Sequence, residues 1–204
     1  MSGWPIVGWA TLAVTAIVAA VLGFVGTDET GLRMAIRATA RTSVCLFALA
    51  FSAAALRRRW PNAATAWLLR HRRQLGVSFA ASHACHLLTI LALCGWTWSG
   101  LVARTPTATL VVGGIAYVFI ALMTATSFDR TAAWLGPRRW QRLHTTGSYY
   151  IWAIFALNFF VRAFHSVHYW PFAAMLAGAM VVRLAVRPTG RSRRVEMPAA
   201  RLAQ

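Results

Sequence analysis

Apolar residues fall in six long blocks along this chain, separated by shorter stretches rich in arginine. The blocks run from about Pro5 to Val25, Ala38 to Leu56, Gln74 to Trp96, Thr109 to Thr126, Leu143 to Phe164 and Trp170 to Val186. Each is near the ~20 residues that a helix needs to cross ~30 Å of hydrocarbon. The pattern predicts an all-α membrane protein, a bundle of six transmembrane helices. Met1-Ser2-Gly3-Trp4 precedes the first block without a basic residue, so that block reads as a retained helix rather than a cleaved signal peptide. The connections are short and leave no room for a soluble domain. Residues 1–188 are expected to form the six-helix domain and 189–204 a basic cytoplasmic tail.

Composition supports the membrane reading. Of 204 residues, 58% are hydrophobic and only 12% charged, where a soluble globule carries about a quarter. The net charge is +17, and the basic residues are all arginine, set against Asp28, Glu29, Asp129 and Glu196. So basic a chain suggests nucleic acid first. The arginines, however, cluster between apolar blocks, which is the pattern that orients membrane proteins, and nucleic acid is not expected as a partner. Arg57, Arg58, Arg59, Arg70, Arg72 and Arg73 fall between blocks two and three, and Arg130, Arg138, Arg139 and Arg142 between four and five. The tail adds Arg187, Arg191, Arg193, Arg194 and Arg201, while the alternate connections hold fewer. Both termini are therefore expected in the cytoplasm. Trp96, Trp98, Tyr169 and Trp170 then mark the outer interface and Trp140 the inner one. Cys45, Cys85 and Cys94 form no CxxC pair, which argues against a zinc ribbon, an iron–sulfur site or a disulfide framework.

Histidine inside an apolar span needs a partner, because lipid cannot hydrogen-bond an imidazole. His86 lies well inside the third block, with His83 one turn before it on the same face, and His144 opens the fifth. Histidines on two helices suggest a haem or metal held between them. Depth complicates a shared site. Helical rise puts His86 roughly 18 Å into the membrane from the inner side, and His144 at the inner edge, about 15 Å away in depth. The residues of block five at the depth of His86 are Leu157 and Asn158; Asn158 is expected to face the interior, where it could hold a water, a haem propionate or the His86 ring. Each candidate has a plainer reading: an interhelical hydrogen bond for His86, an interfacial contact for His144, helix packing for His83. Arg41, one turn inside block two, either snorkels to the interface or pairs with a propionate. His71, His165 and His168 read as solvated loop histidines, and Met123 and Met175 as packing residues.

Several stretches resemble the ferric reductase-like transmembrane superfamily, which includes the haem-binding membrane subunit of the bacterial methionine-sulfoxide reductase system, the STEAP metalloreductases and the NADPH oxidases. Arg72-Arg73-Gln74-Leu75-Gly76 followed by His86 resembles its third helix. Leu135-Gly136 with Trp140-Gln141-Arg142-Leu143-His144 is similar to its entry into helix five, and Thr39-Ala40-Arg41-Thr42 to its second-helix start. The resemblance implies haem b between helices three and five, electron transfer across a bacterial inner membrane, and His86 and His144 at family ligand positions. The family's second helix-five histidine falls on Leu157 here. A five-coordinate haem, substitution by His83 or an outer histidine such as His165, and loss of that haem all remain open.

The chain carries no G-x-G-x-x-G loop and no flavin or nicotinamide domain. Electron transfer would need a separate cytoplasmic flavoprotein or quinol donor and an outer-side acceptor, with membrane lipid as the surrounding partner. The competing readings are a haem-free membrane protein acting in assembly, and a small-solute transporter, which would favour broken helices and inverted repeats.

Overall fold

A computed structural model of the protein describes residues 3–185, and among these every regular element is helical. The tail from 189 to 204, with Arg187 and the other tail arginines, and the end of block six at Val186 lie outside the described residues. The helices are α1 Pro5–Val25, α2 Glu29–Arg59, α3 Ala63–Arg70, α4 Arg72–Leu93, α5 Trp98–Arg104, α6 Thr107–Ala125, α7 Asp129–Leu135, α8 Pro137–His165 and α9 Trp170–Ala185. A single 3-10 turn, Val167–Tyr169, leads into α9. By length and composition, five stretches are long and apolar enough to cross a membrane: α1, α2, α4, α6 and the stretch from Val167 to Ala185. The helix on block five, α8, is long but not among them. His144, Thr145, Thr146, Ser148 and Asn158 dilute its apolar character.

Block two was expected to begin near Ala38, yet α2 starts nine residues earlier, at Glu29. The Asp28 carboxylate caps it by accepting from the Gly31 amide at 3.0 Å, and Glu29 pairs with Arg33 one turn on. Helical hydrogen bonding does not stop where hydropathy falls. At the other end of the third block, α4 stops at Leu93 rather than Trp96. Gly95 and Trp96 take left-handed φ values of 66° and 59°, and the Trp96 amide turns back to the Leu91 carbonyl at 2.8 Å. The three short helices lie in the connections. Asn62 and Thr65 form a capping box for α3, Thr97 caps α5, and Gly136 at φ 77° ends α7 just before Pro137 opens α8.

The central helix is α2, packed most closely against α4. Its buried stripe begins Gly31, Ala35, Thr39, Ser43, one small residue per turn, which lets the two backbones approach. The Ser82 hydroxyl of α4 meets those of Ser43 at 2.9 Å and Thr42 at 3.0 Å, bonding the helices where hydrocarbon would leave hydroxyls unpaired. Further along α2 the core becomes aromatic: Phe47 and Phe51 pack with Phe79 of α4, Phe155 of α8 and Leu176 of α9. At Gly147 a Cβ would press on the Met123 and Phe119 side chains, so the glycine eases the close packing of α6 and α8 there. By contrast α1 buries a single residue, Val14, and lies on the outside of the bundle.

Candidate functional site

His86 faces the early part of α2. Its Nδ1 is 3.1 Å from the Ile36 carbonyl and 3.0 Å from the Thr39 hydroxyl. That hydroxyl itself donates to the helix carbonyls of Ala35 and Ile36. The carbonyl can only accept, so Nδ1 carries the proton and Nε2 is left as the lone-pair nitrogen. His83 stacks on His86 with ring centroids 5.0 Å apart and planes 22° apart. The Tyr117 ring lies 5.0 Å from that of His83, its hydroxyl donating to the His83 carbonyl, and Phe155 meets the His83 ring edge-on at 5.7 Å. The Nδ1 of His83 is buried without a partner. Imidazoles stacked in this way cannot ligate one haem iron from opposite faces.

The α8 residues expected at this depth point elsewhere. Asn158 was expected to face the interior; it is exposed, and its amide donates to the Ile154 carbonyl of its own helix at 2.9 Å. Leu157 is 64% exposed. The inward stripe of α8 is Gly147, Ile151, Phe155, Phe159 and Ala163. Counting four turns from His144 lands one position off this stripe, about 100° around the helix. The interior residue facing the histidine pair is therefore Phe155.

His144 stands near the other end of the bundle, separated from His86 as the depth argument expects. Its Nε2 is 3.0 Å from the Thr126 hydroxyl, which donates to the Leu122 carbonyl at 2.7 Å. The imidazole therefore donates through Nε2–H and keeps its lone pair on Nδ1. Trp140 stacks on the ring at 4.2 Å and donates its indole N–H to the Thr126 carbonyl, fixing the ring further. His144 lines a cavity of about 1160 Å³ bounded by α2, α3, α4, α6, α8 and α9. Phe47, Phe51, Phe79 and Tyr149 give it aromatic walls, and Arg58, Arg70, Arg72, Arg73 and Arg183 supply cationic ones. Met123 also reaches the wall. The helices α4 and α8 do not pack closely across it; higher up they meet through Phe79, His83 and Phe155.

Arg183 was not recognised from the sequence as a site residue. Its guanidinium lies 4.2 Å from the Phe51 ring centroid and 4.8 Å from that of Tyr149, and it donates to the Phe51 carbonyl and the Tyr149 hydroxyl. An arginine inside block six was the available signal, because charge within an apolar span is costly and usually functional. Arg41 does not line the cavity. It lies at the His86 end, beside Tyr169 and Phe172. Of the remaining histidines, His71 packs on Trp67 at 4.8 Å, and His165 and His168 are exposed near the start of α9.

The residues around the cavity suit a haem in three respects. The volume exceeds the ~300–1,000 Å³ of ordinary small-molecule pockets, the arginines match two propionates, and one imidazole reaches the wall. No second histidine is among the described lining residues. Among the described residues no group of three or more His, Cys, Asp and Glu side chains converges as a metal site of the ordinary kind. Comparisons with protein-family models, with curated proteins and with solved structures find no match to this chain.

Proposed function

We propose that this chain is a b-type haem membrane protein of the ferric reductase-like kind, passing single electrons across a bacterial inner membrane, with the haem in the cavity beside His144. The observation that carries the reading is the cavity itself: an aromatic, arginine-walled space of about 1160 Å³ between α4 and α8 with an imidazole on its wall. In this reading His144 would hold the iron, and Arg58, Arg70 and Arg72 would hold the propionates. To His86 we assign the bond that ties α4 to α2 at Ile36. Haem, when bound, supplies reversible one-electron chemistry at iron, and the protein supplies ligation, burial and charge. Thr126 and Trp140 hold the His144 ring in one orientation, while Phe47, Phe51 and Phe79 give the cavity an apolar wall.

In this reading α8 is the sixth span despite its polar residues, and the arginine-lined end faces the cytoplasm with both termini. A reporter fused after Gln204 should be active only in its cytoplasmic form; activity of a periplasmic reporter there would overturn the topology. The donor is a separate flavoprotein or quinol and the acceptor lies outside. The full-length protein, gently purified, should show a Soret band that shifts on reduction. With one imidazole in reach, the haem should be high-spin and should bind carbon monoxide. A preparation without Soret absorbance, even after haem is added, would favour the haem-free reading of an assembly partner or transporter.

A further inference from the structure

At the end of the bundle opposite the cavity, two arginines share one tyrosine. The Arg41 guanidinium, from α2, lies 5.3 Å from the Tyr169 ring centroid and 5.8 Å from that of Phe172. Arg162, near the end of α8, lies 5.9 Å from the same Tyr169 ring. The ring's negative face attracts each cation by about 0.5–2 kcal/mol, but the two guanidinium groups repel one another. The Nε of Arg41 is buried and has no hydrogen-bond partner. An unpaired donor on a charged group is among the costlier features a protein can retain.

No carboxylate among the described residues resolves this. Asp28 caps α2, Glu29 bonds Arg33 and Arg104, and Asp129 bonds Arg73. Arg37, one turn before Arg41, has no ion pair among the described residues either. An oxyanion would complete the cluster, since guanidinium forks bind one in a bidentate manner. The level of the cluster narrows its chemistry. It lies at the mouth of α9, beside the exposed Trp170, and an exposed tryptophan at a helix end marks headgroup depth. Phosphate is the abundant oxyanion there.

We propose that Arg41, Arg162 and Tyr169 form a phosphate-binding site, filled by a lipid headgroup or by free phosphate. The site is remote from the His144 cavity and does not depend on haem. Its test uses the full-length protein, delipidated in mild detergent, with two probes. Phosphatidylglycerol binding is followed by native mass spectrometry, and inorganic phosphate binding by the rise in melting temperature over chloride at equal ionic strength. One of the two probes should bind, which identifies the source. Arg41→Gln and Arg162→Gln should each weaken that binding about tenfold or more, as loss of a charge-assisted hydrogen bond implies. Arg104→Gln, which removes an exposed partner of Glu29, should leave it unchanged. Arg162 is exposed, so its variant keeps the test open if Arg41→Gln fails to fold. Absence of binding by both probes, equal binding by wild type and the two glutamine variants, or an equal loss in Arg104→Gln would each overturn the site. Haem content is read separately and moves with neither outcome.

Discussion

At one end of the bundle His83 and His86 are packed among Phe79, Tyr117 and Phe155; at the other, His144 stands on the wall of a cavity of about 1160 Å³. Both ends hold imidazoles on long helices, and both orient them by a hydrogen bond to a neighbouring element. The difference lies in what faces the ring. Phe155 fills the interior of α8 opposite the histidine pair, whereas further down the same helix His144, Thr145 and Ser148 line the cavity. A histidine's depth and neighbours alone do not make a ligand; the space opposite decides whether a cofactor can be offered to it.

The largest effect is expected where the packed end is opened. Phe155→Ala removes an aromatic ring that touches Phe47, Phe79, His83 and Phe159. By analogy with core truncations it should cost about 3–5 kcal/mol. Thermal unfolding followed by tryptophan fluorescence should show a large fall in melting temperature. A fall no greater than that of Leu157→Ala, whose side chain faces outward, would mean that the end is not packed as described.

Arg183→Ala should come next. It removes a guanidinium that bonds the Phe51 carbonyl and the Tyr149 hydroxyl and stacks on both rings. We expect a loss of about 2 kcal/mol from contacts of this kind, together with weaker haem retention because the cavity wall loosens. Lowered haem retention with unchanged stability would make Arg183 a ligand contact rather than a strut.

Thr39→Val should act more gently. Its hydroxyl meets the His86 ring, but the Ile36 carbonyl still accepts from Nδ1. Hydrogen bonds between membrane helices average about 0.6 kcal/mol, so a small drop in melting temperature and an unaltered haem spectrum are expected. A changed spectrum would bring His86 into the cofactor site. Asn158→Leu, on an exposed position bonded only to its own helix, should change the spectrum least of all, and any shift would show that α8 turns differently.

Much of the helical layout was legible in the sequence, because blocks of apolar residues near 20 long have few other uses. Pro5–Val25 is read to the residue, with Pro5 and Gly26 as its boundaries. The start of α2 was not legible from hydropathy, since Glu29–Arg33 pairing carries the helix through a polar stretch. The separation of His86 from His144 followed from helical rise, but the facing of Asn158 did not. A rotation of one residue turns a side chain by about 100°, and only the packing of Phe155 and Phe159 against α2, α4 and α9 fixes it. The cavity itself could not be read in advance. Its lining comes from residues far apart in the chain, such as Phe51, Arg72, His144 and Arg183.

The most direct test of the account compares reduced-minus-oxidised absorbance, per mole of protein, for wild type, His144→Ala and His86→Ala. The cavity reading predicts that His144→Ala loses most of the haem signal while His86→Ala keeps both its intensity and its band positions. Loss of the signal in His86→Ala with retention in His144→Ala would contradict it and move the cofactor to the packed end of the bundle.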